Sequence, residues 1–318
     1  MAQNKKVGLA PLAGFTESAF RRLTREFGAD FTWTELTSAN FVLVSDLKHP
    51  QFHIFEEERP LRFQLHGSEV ETLVKAAEKV LEKLRPEGLD LNAGCPAKKI
   101  IKAGAGAALL ADLPRLFEIA KTLREIAHAH KCDFSVKFRL GFTEDRLEEI
   151  AEILLKAGVD LLVLHPRTAK EGFSGRARWE RVGDLVKMVA GKAKVYGSGD
   201  IKSFSDIGRF LRQTGAQGAL IGRAALERPW IFHEWKKGYE IKPSPRQRFE
   251  ILKRLESYLE IYRQGDEILK SLKLWAPRLL KGLPHKRKLL PLALKASERE
   301  EFWRILHHLC GLADANYR

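Results

Sequence analysis

The sequence predicts an α/β chain: a (β/α)8 TIM barrel over residues 1–242, followed by a small all-helical domain over 243–318. Three patterns carry that prediction. Eight short apolar runs alternate with longer amphipathic stretches between residue 7 and about 235, the count and length of such a barrel. Each run ends in polar residues or glycine, as strands feeding one shared site do. Beyond Pro243 and Pro245 the apolar period becomes helical throughout.

Taken in order, the runs are "VGLAPLAG", "DFTWTEL", "LRFQLHG", "GLDLNAG", "DFSVKFRLG", "LLVLHPRT", "AKVYGSGDI" and "GALIGRAAL". Between them lie "SEVETLVKAAEKVLEKL", "LPRLFEIAKTLREIAHA", "RLEEIAEILLKAG" and "SFSDIGRFLRQTG", with apolar residues at i, i+3, i+4 and i+7 and capping residues at several ends. The strand ends place Glu35, Gln64, Asn92, Cys95, Lys137, Arg139, His165, Arg167, Ser198 to Asp200, Gly222 and Arg223 at a common mouth. A doubly wound sheet is the rival arrangement. Its dinucleotide fingerprint is imitated only by "GAGAAL" at 104–109, which is incomplete and falls too late in the chain. In the last quarter, "RFEILKRLESYLEIYR", "DEILKSLKLWAPRLLKGL" and "SEREEFWRILHHLCGL" read as helices, and "LPHKRKLLP" at 283–291 as a basic connection.

The net charge is +14, and more than half of it lies in residues 241–318, where 17 Lys and Arg face 9 Asp and Glu. A nucleic-acid partner or the charge-rich surface of a thermophile would each produce this excess. Three cysteines, with no Cys-x-x-Cys pair, exclude a disulfide framework or a cysteine zinc site and fit a reducing cytoplasm. His128 with His130, and His307 with His308, lack the i, i+4 spacing of metal ligands on a helix, so no metal is expected. The N-terminus does not read as a signal peptide, and no apolar stretch is long enough to cross a bilayer.

Cys95 stands apart from Cys132 and Cys310 because Gly94 and Pro96 flank it, in a shaped loop that presents a side chain. Lys137 alternates with Val136 and Phe138, so it points into the mouth with Arg139. There it could attack a carbonyl as a Schiff-base lysine or stabilise an electron-rich ring; alone it does not choose. The glycine turns after the seventh and eighth runs, with Arg223, occupy the usual phosphate-binding place of these barrels.

Together "LAPLAGFTESAFRRL", "LNAGCPAKKIIKAGAGAALL", "VKFRLG", "HPRTAKEGFSGRARW", "GSGDI" and "IGRAALERPWIF" resemble the tRNA-dihydrouridine synthase family, in order and in spacing. The resemblance implies an FMN enzyme that reduces the C5–C6 double bond of selected uridines in tRNA, with NADPH as reductant. It implies FMN held by Pro11, Leu12, Ala13, Gln64, Lys137 and His165, with its phosphate against Ser198, Gly199, Asp200, Gly222 and Arg223. Cys95 would be the proton donor, and Asn92, Arg139 and Arg167 would bind the uracil. Lys98 near the mouth, and Lys286, Arg287 and Lys288 in the tail, would meet RNA phosphates. A cytoplasmic monomer is the simplest expectation for action on a large RNA. The sequence departs from the family at Ser198, where asparagine is common, and at Leu12, where methionine is common.

Overall fold

A computed structural model describes residues 5–312. Among these residues nine strands form: β1 Lys6–Leu9, β2 Thr32–Trp33, β3 Thr37–Ser38, β4 Leu61–His66, β5 Gly88–Ala93, β6 Asp133–Arg139, β7 Leu161–His165, β8 Lys194–Gly197 and β9 Gly218–Ile221. Eight of them pair in parallel in the order β1-β9-β8-β7-β6-β5-β4-β2, and β3 extends the pairing along β4. The ring closes between its ends, where the Asp30 N–H donates to Val7 O at 2.8 Å and the Leu9 N–H to Phe31 O at 3.1 Å. This is the barrel that the eight alternations predict. β3 is an addition too short to leave a periodic signal.

Alternation along each strand sorts the side chains into two populations. Outward residues such as Leu9, Phe63, Leu91, Phe138 and Ile221 join the main core beneath the surrounding helices. Inward residues Phe31, Trp33, Leu161, Val163 and Leu220 form a separate cluster that fills the barrel's lower half. Glycines make room for the large members. A Cβ on Gly8 would lie 2.2 Å from the Phe31 ring, and one on Gly218 would lie 2.7 Å from Tyr196. Large side chains opposite absent ones are how a narrow barrel packs to full density.

The outer helices end where their caps dictate. Ser203 accepts from the Asp206 N–H and opens the helix Phe204–Thr214, and Gly215 closes it in the left-handed conformation at φ 71°. Beyond the barrel come four further helices: Pro245–Leu259, Asp266–Leu279, Lys286–Lys295 and Arg299–Leu309. The third of them corrects the reading of 283–291 as a connection. Leu290 and Ala293 are buried against the neighbouring helices, and Pro291 forfeits one backbone hydrogen bond without ending the helix.

This helical tail packs on the barrel's first helix, Ser18–Glu26. Trp275 stacks on Phe20 at 4.1 Å, Arg263 Nε donates to Glu17 Oε2 at 2.8 Å, and Tyr258 Oη bonds Glu26. Among the described residues no helix is long and apolar enough to cross a membrane, and no cluster of His, Cys, Asp and Glu could hold a metal.

Candidate active site

The carboxyl ends of the strands surround a pocket of about 750 Å³. One wall is apolar, from Pro11, Leu12 and Ala13 after β1. Gln64, Asn92, Lys137 and His165 rise from the floor on β4 to β7, and Cys95 sits on the turn after β5. Ser198, Gly199 and Asp200 after β8, with Gly222 and Arg223 after β9, close the far side. Arg139 and Arg167 complete the lining. Four other positions lie elsewhere: Lys98 is exposed on the short helix Lys98–Lys102, and Lys286, Arg287 and Lys288 lie in the tail. Arg287 and Lys288 are exposed, whereas Lys286 Nζ donates to Pro277 O at 2.6 Å.

Glu35 corrects the strand-end pattern. Leu36 lines the pocket in its stead, and the Glu35 carboxylate turns beneath the 11–15 turn, where it accepts from the Gly14 N–H near Arg21 and Arg263. Those cations, one of them from the helical tail, favour its charged form. Burial, and then the neighbouring Glu17, push its pKa up.

The Cys95 loop is held from below. Asn92 Oδ1 accepts from the Gly94 N–H at 3.1 Å and the Cys95 N–H at 2.9 Å. Asn92 Nδ2 donates to Gln64 Oε1 at 2.9 Å, and Gln64 Nε2 donates to Asp90 Oδ2 at 2.7 Å. Asp90 is fully buried and also accepts from Ser135 Oγ. Burial pushes its pKa up to about 6, against the opposing pull of the Ser135 and Gln64 hydrogen bonds and of Arg62 and Lys137. Cys95 is half-exposed to the pocket, while Cys132 and Cys310 are buried.

Two arginines serve mostly as struts. Arg139 Nε donates to Gly94 O at 2.8 Å, and its Nη1 to Thr168 O at 2.9 Å and Gly172 O at 2.8 Å. Arg167 donates to Ser174 O, to Gly175 O at 2.6 Å and to Asp200 Oδ2 at 2.6 Å. Together they pin the loop after β7, whose Phe173 is 59% exposed at the rim with the Arg223 guanidinium 4.7 Å above its ring. Sequence reasoning passed over Phe173. Its signal is an aromatic residue within "EGFSG".

The electrostatics favour an anionic guest. The Lys137 ammonium, deep in the pocket, makes no hydrogen bond or ion pair among the described residues. Burial, followed by Arg139, pushes its pKa down to about 8. The His165 pKa is driven far down by burial and by Lys137, Arg139, Arg167 and Arg223, so its imidazole is neutral. Its Nε2 faces Arg167 Nη1 at 3.3 Å; a guanidinium can only donate, which leaves the ring proton on Nδ1. On the far side Ser198 Oγ is buried without a partner, and Gly199 adopts φ 106° beside His165. Burial works to raise the Asp200 pKa, but the Ala177 N–H, Arg167 and Arg223 outweigh it and hold the carboxyl ionised.

These features fit a flat ring carrying a phosphate. The orphaned Ser198 hydroxyl, the Gly199 and Gly222 turns and Arg223 suit the phosphate. Gln64, Lys137 and the neutral His165 supply hydrogen bonds and a cation for a heteroaromatic ring, with the 11–13 wall against its face.

The family pattern described as "Dihydrouridine synthase (Dus)" matches residues 8–308. A protein of Aquifex aeolicus (strain VF5) named "Probable tRNA-dihydrouridine synthase" is 38% identical over 296 residues, covering 93% of each chain. One of the same name from Helicobacter pylori (strain ATCC 700392 / 26695) is 34% identical over 267 residues, covering 83% of this chain and 80% of its own. Among solved structures, a 2-naphthoyl-CoA reductase complex has a TM-score of 0.57 at 12% identity over 74% of this chain and 50% of that one. Ligand-free DHODH from Eimeria tenella has a TM-score of 0.50 at 16% identity over 78% and 84%. At these identities the likeness is one of fold.

Proposed function

The chain belongs to the dihydrouridine synthase family, and from that premise we propose that it reduces the C5–C6 double bond of uridine in tRNA, with FMN in the pocket, NADPH as reductant and Cys95 as the proton donor. When bound, the flavin supplies the hydride that adds to C6 of the uracil. The protein's own groups do the rest. The Cys95 thiol, half-exposed on a loop whose backbone Asn92 fixes, gives its proton to C5. Lys137 places a positive charge where negative charge gathers on the ring system, and the free N–H groups of Gln64 and Asn92 point donors at acceptor oxygens. The observation that carries this reading is the half-exposed thiol sharing one cationic pocket with an orphaned hydroxyl and an unpaired lysine.

A uridine within a folded tRNA reaches a barrel mouth only by leaving its stack. The basic tail, with Arg287 and Lys288 exposed, would grip the RNA backbone and decide which uridine enters. The test is dihydrouridine formation on unmodified tRNA with purified protein, FMN and NADPH, comparing wild type with Cys95→Ala. Product from wild type, with a rate lower by about 100-fold or more in the variant, is the expected result for a lost general acid. Equal rates would remove the thiol from the mechanism. No product from wild type that retains flavin and binds tRNA would remove the reading itself.

A further inference from the structure

The strongest unassigned group in the molecule is the carboxylate of Asp90, buried below the pocket and touching no part of it. Two hydrogen-bonded chains end on it. From one side Arg62 Nη1 donates to Ser135 Oγ at 3.2 Å, and Ser135 Oγ donates to Asp90 Oδ1. From the other, the Gly94 and Cys95 amides donate to Asn92, Asn92 to Gln64, and Gln64 to Asp90 Oδ2. Every bond points toward the carboxylate.

The direction of the second chain is not a free choice. Backbone N–H groups can only donate, so Asn92 must turn its oxygen to the loop and its nitrogen to Gln64. Gln64 must then turn its oxygen to Asn92 and its nitrogen downward. An acceptor is required at the bottom, and an ionised carboxylate fills that place at 2.7 Å. Strand register makes the stack possible, because Gln64 lies level with Asp90, and Asp90 level with Ser135, on three adjacent strands.

We propose that Asp90 is a positioning residue for the Cys95 loop: as the common acceptor of both chains it orients the side-chain amides of Gln64 and Asn92, which in turn hold the thiol-bearing backbone in place. A second consequence follows for recognition. With both lone pairs of Asn92 Oδ1 taken by the loop amides and one Nδ2 N–H given to Gln64, Asn92 has only its second N–H left to offer a guest. The group that Asn92 meets must therefore be an acceptor, such as a carbonyl oxygen or an unprotonated ring nitrogen. The catalytic meaning rests on the reading of Cys95 given above; the anchoring of the loop does not.

The experiment reads both. Cys132 and Cys310 are buried, so a thiol reagent such as iodoacetamide reports Cys95 in the native FMN-bound protein. Asp90→Ala should raise its labelling rate by about tenfold, as ~1.4 kcal/mol of lost anchoring would, and should lower kcat for dihydrouridine formation with less effect on KM. Asn92→Ala should match it in labelling rate, and the double variant should label no faster than either, because Asp90 acts on the loop through Asn92. Asp90→Asn is the rescue: its amide oxygen can still accept from Gln64 while its nitrogen turns to Ser135, so labelling should return most of the way to wild type. Additive effects in the double variant, or Asp90→Asn as impaired as Asp90→Ala, would overturn the relay in favour of a fold defect or a pure charge effect. Changed labelling in a protein without synthase activity would keep the relay and sink the enzymatic reading. Wild-type labelling in every variant of an active enzyme would do the reverse.

Discussion

Replacing Arg139 with methionine separates two roles for that residue. The expectation drawn from the family has Arg139 binding uracil, yet its guanidinium already donates to Gly94 O, Thr168 O and Gly172 O, all within 2.9 Å, and is only 3% exposed. Methionine keeps most of the stem and strands the carbonyls. A buried acceptor left without a partner costs ~1–3 kcal/mol; Gly94 O and Thr168 O carry that in full, and Gly172 O, nearer the rim, carries less. Burial, and then the neighbouring Arg167, push the Arg139 pKa down to about 10, so removing its charge returns part of the cost. A net loss of about 2 kcal/mol follows, on the scale of a broken buried hydrogen-bond network. Urea unfolding followed by far-ultraviolet circular dichroism measures it, alongside kcat and KM on tRNA. The strut role requires a lowered midpoint together with a fall in kcat, since Gly94 precedes the thiol. An unchanged midpoint with only KM raised would refute it and return Arg139 to the uracil.

Lys137→Met should be more stable than wild type at pH 7. Its folded pKa of about 8 lies below the ordinary 10.5, so between those values the unfolded chain holds a proton that the folded chain has shed, wild-type stability rises with pH, and the variant's advantage should vanish by about pH 10.5; a difference constant across that window would contradict the burial of the charge. Neutralising Arg287 and Lys288 should lower the slope of log affinity for tRNA against log salt by up to ~2, and a filter-binding titration that finds the slope unchanged would place the RNA elsewhere. Gly8→Ala puts a Cβ 2.2 Å from Phe31 and should destabilise by ~1–3 kcal/mol. Gly183→Ala, in the helix Trp179–Val189 with nothing nearer than 3.7 Å, should stabilise by ~0.5–1 kcal/mol, and thermal melts of the pair test the packing described for each.

What the sequence made legible was the local part of the structure. The eight barrel strands announce themselves because apolar runs and amphipathic helices have different periods, and the rule that strand ends share a face then brings Gln64, Lys137, His165 and Gly222 to one pocket. Contacts between distant segments are harder to read. Glu35 turns from the mouth to the Gly14 N–H and the neighbourhood of Arg21, where Arg263, more than 200 residues later, adds a weaker attraction. The helix Lys286–Lys295 was hidden by its own first three residues, whose charge resembles a loop, although Leu290 and Ala293 keep a helical stripe. Asp90 and Ser135 escaped notice because each is unremarkable on its own strand, and only the register between β4, β5 and β6 stacks them under Asn92.

The clasp between the tail and the first helix has a consequence for how the chain comes to be folded at all. Ser18–Glu26 leaves the ribosome well before the partners of its outer side, Tyr258, Arg263 and Trp275. At roughly 5–20 residues per second, the separation of 246 residues from Glu17 to Arg263 puts tens of seconds between the two. Until then Phe20 has no Trp275 to stack on, and that part of the barrel wall stays uncovered. A chain cut short before Pro245 would be left with Phe20 and the outer side of Ser18–Glu26 uncovered.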